Sequence, residues 1–321
     1  MDNITSLEIC SGAGGQALGL EQAGFSHVGL VEIDTNACNT LITNRPNWNV
    51  IQADLREFSA KKYCGVDLLA GGVPCPPFSN AGHQLGEQDE RNLFSEVIRL
   101  TRECMPKALM IENVRGLMDA RFDAYRRFIS DSIEQLGYTT FWQLLQASNF
   151  GVPQLRPRTI FVAIQNEFAE LFTWPAGNKT QPPTVGETLY GDMSALSWQN
   201  AENWRDNANG IAPTIVGGSK KHGGPDLGPT RARKAWAQLG VDGRGIADEP
   251  PGPYFQGMPR LTVKMTAKLQ GFPDNWTITG KKTPAYRQIG NAFPPPVAKA
   301  VGEKIADVIR ETSRPLDGCV G

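Results

Sequence analysis

No CxxC pair occurs in this 321-residue chain. Its six cysteines (Cys10, Cys38, Cys64, Cys75, Cys104 and Cys319) are scattered, and none of its three histidines stands at metal-ligand spacing from them. That spacing argues against a zinc site and a disulfide frame, and it fits a reducing cytoplasm. No run of about 18 apolar residues is present, so no helical membrane span is expected. The opening MDNITSLEIC is acidic and short of apolar residues, so no signal peptide is expected there. Internal repeats and low-complexity tracts are missing too. So is any excess of one charge: the formal net charge is -1, and any phosphate contact must come from a local patch. Apolar residues at 40% and charged residues at 20% give an ordinary globular composition.

What remains has a clear order. Short apolar runs recur at Leu7 to Cys10, Val28 to Ile33, Asn49 to Ala53, Val66 to Ala70, Ala108 to Ile111 and Thr159 to Ile164. Segments of helical period lie between several of them, such as Ala17 to Ala23 and Leu93 to Glu103. This alternation predicts an α/β fold with a mostly parallel sheet covered on both faces. From Trp174 to about Lys282 the chain is rich in Gly, Pro, Asn and Trp and has little periodicity. Residues 1–175 are therefore expected to form one domain and 176–282 a smaller, irregular one. Residues 283–321 return to pattern: Val297, Ala300, Val301 and Ile305 are spaced as a helix expected to pack back on the first domain.

Polar residues cluster at the predicted strand ends. Ser11-Gly12-Ala13-Gly14-Gly15 follows the first strand, Glu32 and Asp34 the second, and Asp54 the third. Gly71-Gly72-Val73-Pro74-Cys75 follows the fourth, and Glu112-Asn113 the fifth. In a parallel sheet these ends share one edge, where ligands bind. The glycine loop with Glu32 about 20 residues on suits a ribose-bearing cofactor. By itself it does not separate a nicotinamide dinucleotide from S-adenosylmethionine. Cys75 stands on a loop, followed by two prolines, rather than inside an apolar run, which favours a nucleophile over a core cysteine. Glu112 ends an apolar run, and burial would raise its pKa and suit it to hold or donate a proton.

Taken in order, these segments resemble the DNA cytosine-C5 methyltransferase family of the bacterial restriction-modification type. The resemblance continues through Gln154-Leu155-Arg156-Pro157-Arg158, Arg260-Leu261-Thr262, Gln270-Gly271-Phe272-Pro273-Asp274 and Gln288-Ile289-Gly290-Asn291-Ala292. It implies a Rossmann-like S-adenosylmethionine-dependent methyltransferase fold with a smaller target-recognition domain. It further implies methyl transfer to C5 of a flipped-out cytosine in a specific double-stranded DNA sequence. Cys75 would attack C6, Glu112 would hold N3 and the exocyclic amine, and Arg156 and Arg158 would orient the base carbonyl, the thiol loop and the backbone. S-adenosylmethionine would meet the loop of Ser11, Gly12, Gly14 and Gly15 at its methionine part and Glu32 at its ribose, with Cys10 and Ile33 also among the cofactor-binding residues. Asp54 would face the adenine amine and Leu55 the ring, with Pro74, Asn291 and Ala292 completing the pocket.

For DNA the resemblance points to Ser79, Arg91, Gln154 and Thr214. The basic run Lys220, Lys221, Arg231 and Arg233 suits phosphates and guanine edges. If extended, that run sends Arg231 and Arg233 to opposite sides. The expected assembly is a monomer without metal, and the restriction-modification type leaves room for a restriction endonuclease of the same site as a partner. Two departures stand out: Cys10 where the family commonly has Phe, and Pro76 where it often has Gln. Three alternatives remain at this stage: a nicotinamide oxidoreductase, a catalytically silent DNA-binding relative, and an enzyme of the same chemistry acting on tRNA.

Overall fold

Seven strands make one sheet: β1 (Ile4–Ile9), β2 (Phe25–Glu32), β3 (Val50–Gln52), β4 (Leu68–Gly71), β5 (Ala108–Val114), β6 (Tyr138–Gln146) and β7 (Pro157–Gln165), in the order β3-β2-β1-β4-β5-β7-β6. The computed structural model describes residues 3–74, 93–178, 180–217 and 225–312. Strands β1 to β5 run parallel, and β7 is antiparallel to both β5 and β6. The central strand β4 is apolar along its length because both faces of the sheet are covered; every one of its residues is buried. Strand order reverses at the β1–β4 pair, so a crevice opens between the loops that follow these two strands.

Each face of the sheet has its own core. One packs Leu68, Met110, Ile160 and Val162 against Leu20 of α1 (Gly15–Gln22) and Val297, Val301 and Ile305 of α10 (Pro295–Thr312). The other packs Leu7, Leu69, Leu109 and Ile111 against Phe94, Val97 and Leu100 of α3 (Phe94–Cys104) and Ile129 and Ile133 of α4 (Asp123–Glu134). Helix α2 (Thr35–Asn44) follows β2, its N-terminus capped by the Asp34 side chain.

Strand β6 is absent from the sequence-based reading. It lies at the sheet edge with most residues half-buried or exposed, so it shows no clean alternation. The stretch read as irregular also contains regular structure. It holds α5 (Val185–Met193), α6 (Ala201–Asn207), α7 (Thr230–Gln238) and α8 (Val263–Leu269), and no strand among the described residues. Helices of seven to nine residues span about two turns, too few for a visible period. They share a core of Trp198, Trp204, Trp236, Leu189, Leu261 and Met265. Arg231 and Arg233 lie on α7 and not on extended chain, which corrects the geometry expected for them. Helix α9 (Lys282–Asn291) joins the parts: Tyr286 enters this third core, while Ile289 packs beside Leu18 of α1.

Candidate active site

A cavity of about 840 Å³ opens at the C-terminal edge of β1, β2, β4 and β5, within the size range of small-molecule sites. Gly12 has φ +52°, and a Cβ placed there would meet no atom within 4 Å, so its backbone faces open space. Gly14 and Gly15 are packing glycines instead. A Cβ on Gly14 would come within 2.6 Å of Leu41, and one on Gly15 within 2.2 Å of the Phe293 carbonyl oxygen. Gly15 still lies on the cavity wall; Gly14 does not.

Glu32 closes the loop. One carboxylate oxygen accepts from the Gly12 amide at 2.7 Å, and the other from the amides of Ile33 and Asp34 at 2.8 Å each. A carboxylate has about four acceptor positions, so a ligand hydroxyl still finds room. Ile33 is 60% exposed and presents an apolar surface to the cavity. Ser11 donates to the carbonyls of Glu8 and Val31. Cys10, on the same wall, has its thiol pushed up to about 12 by burial and by the charges of Glu32, Asp54 and Glu8. A thiol held neutral is a poor nucleophile.

Asp54 and Leu55 are not on this wall. The Asp54 carboxylate is taken by Arg56 at 2.6 Å, which also holds its pKa down, and Leu55 is buried in the core of the α3 face. The Asp54 carboxylate expected at the adenine amine is thus engaged by a nearer cation, and the Leu55 side chain expected at the ring is engaged by the core.

At the other end of the cavity stand Glu112 and Arg158, both buried, with Arg158 Nε 2.7 Å from Glu112 Oε1. Burial pushes the Glu112 pKa up, and Arg158 and Arg156 pull it partly back. A Cβ on Gly72 would lie 3.3 Å from Glu112 Oε2, which places this carboxylate beside the β4 exit loop. Asn113 holds the same loop by donating to the Val73 carbonyl at 3.1 Å. Pro74 is exposed on the wall. Cys75, Pro76, Ser79, Arg91, Lys220 and Lys221 lie outside the described residues.

Arg156 diverges from Arg158. It is fully buried and donates to the carbonyls of Ile215 (2.7 Å), Gly290 (2.8 Å) and Ala292 (2.9 Å). Gln154, expected at the DNA, is fully buried as well. It donates to Leu269 O and Gln270 Oε1 and accepts from the Ile215 amide. These two side chains fasten the Ala212–Gly217 segment and the end of α9 to the sheet. Because the polar atoms of that joint have no water to turn to, protein partners claim Arg156 and Gln154. Thr214 donates to the Leu155 carbonyl at 2.5 Å, and Val216, Gly217, Asn291 and Ala292 reach the cavity wall. Replacing Arg156 by Leu takes the Arg156 donor from the buried carbonyls of Ile215 and Gly290, while Ala292 O keeps Gln270, so unfolding free energy should fall by about 2 kcal/mol or more. Denaturant melts measure this, and a loss under about 1 kcal/mol would remove the joint from the account.

Residues 4–307 match the model of the C-5 cytosine-specific DNA methylases. This chain belongs to that family. It is 56% identical over 311 residues to the type II methyltransferase M.NgoMIV of Neisseria gonorrhoeae, covering 96% of this chain and 99% of that protein. Identity to M.NaeI of Lentzea aerocolonigenes is also 56%, over 95% of this chain and 75% of that protein. Among solved structures, the Dnmt2 methyltransferase of S. pombe superposes with a TM-score of 0.63 at 17% identity, covering 98% of this chain and all of that one, a likeness of fold. As a C-5 cytosine DNA methylase, the chain transfers a methyl group from S-adenosylmethionine to C5 of a cytosine flipped out of double-stranded DNA, through a covalent cysteine intermediate. The oxidoreductase, silent-relative and tRNA alternatives are thereby set aside. The donor fits the site: the open cradle at Gly12, the fixed Glu32 carboxylate and the exposed Ile33 side chain suit its methionine, ribose and adenine parts.

One residue of the cavity was missed by motif reading. Glu8, on β1, is 1% exposed, and neither carboxylate oxygen has a hydrogen-bond partner. Its signal was a charged residue inside an apolar run. Burial raises its pKa well above the ordinary value, and the charge of Glu32 adds to the rise. The folded state therefore holds this proton more tightly than the unfolded chain, and stability falls as pH climbs from about 4.3 through the folded value. Glu8→Gln removes that loss. The melting temperature of Glu8→Gln relative to the parent should rise as pH is raised from about 5 to 9. A difference that does not change with pH would show that Glu8 is already ionised.

Proposed function

We propose that Cys75 is the nucleophile and Glu112 the acid of this methylase. The observation that carries the reading is the buried Glu112–Arg158 pair facing the loop that ends in Pro74, one peptide bond before Cys75. Cytosine C5 is too weak a nucleophile while the ring is aromatic. Addition of the Cys75 thiolate at C6 makes an enamine and places an electron pair on C5. Glu112 supplies the proton at N3, so that charge developing on the ring is neutralised. Arg158 positions Glu112 and keeps its carboxyl from being stranded in an apolar site. S-adenosylmethionine, when bound, supplies the electrophilic methyl group. A base then removes the C5 proton, and the sulfur leaves as the C5–C6 double bond re-forms. The target base leaves the duplex to reach this depth.

For the donor, Gly12 and Ser11 face the methionine end, Glu32 the ribose, and Ile33, Pro74, Asn291 and Ala292 the remaining walls. Residues 1–175 with 283–321 form the catalytic part, and 176–282 the target-recognition part, where α7 offers Arg231 and Arg233 to DNA. The chain works as a monomer without metal in the cytoplasm, where its free Cys10, Cys38, Cys64 and Cys104 suit reducing conditions. Its likeness to type II methyltransferases supports pairing with an endonuclease of the same site. Bisulfite sequencing of duplex DNA treated with the parent and with Cys75→Ser tests the core of this reading. Protection of one recurring sequence by the parent alone supports it; equal protection by both removes Cys75.

A further inference from the structure

Between α7 and α8 the chain runs Asp242-Gly243-Arg244-Gly245. Asp242 is 9% exposed. Its carboxylate accepts from Arg244 Nε at 2.8 Å, Arg244 Nη2 at 3.1 Å and the Arg244 amide at 3.1 Å, and from Arg260 Nε at 3.0 Å. The Arg244 side chain nonetheless remains 72% exposed. An exposed arginine ordinarily keeps its rotamer freedom; two side-chain hydrogen bonds to Asp242 restrict this one while its end faces solvent. A guanidinium has five N–H donors. Two face Asp242, and the remaining three sit at the far end, the fork that meets O6 and N7 of guanine. Because the side chain is already restricted, less further ordering opposes binding.

The surroundings suit a duplex. Arg244 is exposed, while the glycines on both sides of it are buried against neighbouring arginines. A Cβ on Gly243 would meet Arg233 at 3.2 Å, and one on Gly245 would meet Arg260 Nη1 at 3.2 Å. Arg244 therefore stands in a cationic strip with Arg233 and Arg260, and the exposed Arg231 and Lys234 of α7 lie nearby in the chain. The strip adjoins the active site. Gly243 O accepts from the Leu227 amide at 3.0 Å. The next residue, Gly228, lies against Val216, and Val216 lines the cavity.

We propose that Arg244, held by Asp242, reads a guanine in the major groove and so helps set which DNA sequence is methylated. This rests on the DNA-methylase reading above. Phosphate contacts would fall to the exposed Arg231 and Lys234 of α7, whose side chains can follow the backbone.

The test uses full-length parent, Arg244→Ala and Arg244→Lys, each checked by thermal melting. Methylated sites are mapped across a host genome, and duplexes bound from a randomised pool are sequenced at two salt concentrations. The parent should demand guanine at one position. Both variants should accept other bases there, with discrimination reduced about 10- to 100-fold, while the other positions stay as they were. Arg244→Lys should keep the parental salt dependence, since lysine retains the charge but not the fork. Variants that keep the parental sequence overturn the proposal. So does Arg244→Ala that binds all sequences more weakly with a salt slope reduced by about one, the mark of a phosphate contact. A parent that methylates no duplex would count against the enzymatic reading instead, and the bound pool would still decide whether Arg244 reads a base.

Discussion

Replacing Cys75 by serine is expected to lower the single-turnover methylation rate by about 10⁴-fold or more, while S-adenosylmethionine and DNA affinities stay within about threefold. The reason is chemical. Only a thiolate is nucleophilic enough at neutral pH to add to C6; the serine hydroxyl ionises far too weakly. No described cysteine is placed to substitute. Cys10 shares the cavity, but its thiol is pushed up to about 12. Cys38 and Cys104 are buried, with thiols pushed up to about 11 and about 12. Cys64 is exposed, on a turn away from the cavity wall. Rapid-quench methylation with equilibrium binding controls separates loss of chemistry from loss of binding. A residual rate within tenfold of the parent would place the nucleophile elsewhere.

Glu112→Gln is expected to lower the same rate by about 10²-fold or more, the scale of acid catalysis. The amide keeps the shape and can donate a hydrogen bond to N3, but it cannot deliver a proton. Burial keeps the Glu112 proton in place to higher pH than for an exposed carboxyl, even with Arg158 opposing. That reserve is lost as pH rises through the folded value. The parental rate should therefore carry a falling limb on the alkaline side that Glu112→Gln lacks. Single-turnover rates across pH measure both effects. An unchanged rate, or the same falling limb in the variant, would take Glu112 out of the proton path.

Much of this was legible in the sequence because the chemistry sits at strand ends. Apolar runs mark β1, β2, β4 and β5, and Gly12, Glu32, Gly72 and Glu112 follow or close them, so strand order alone gathers them at one edge. Residues with two plausible partners were harder to read. Asp54 is bound by Arg56, two residues on, and the fate of Gln154 and Arg156 depends on backbone amides and carbonyls more than fifty residues away. Short-range pattern carries no trace of such partners. The helices of the recognition part are too brief to show a period. Their core brings Trp198 and Trp204 together with Trp236, more than thirty residues on, and with Leu261 and Met265 beyond it. Arg244 went unmarked for a related reason: its meaning lies in the buried carboxylate of Asp242, and burial cannot be seen in a loop sequence.

Covalent trapping tests the central claim most directly. A duplex carrying 5-fluorocytosine at the target position is incubated with the enzyme and S-adenosylmethionine, denatured, digested and analysed by peptide mass spectrometry. Fluorine cannot leave as a proton does, so the intermediate should persist as a protein–DNA adduct. The account predicts that the adduct maps to the peptide bearing Cys75 and is absent from Cys75→Ser. An adduct on another cysteine, or none from an enzyme that methylates ordinary cytosine, would contradict it.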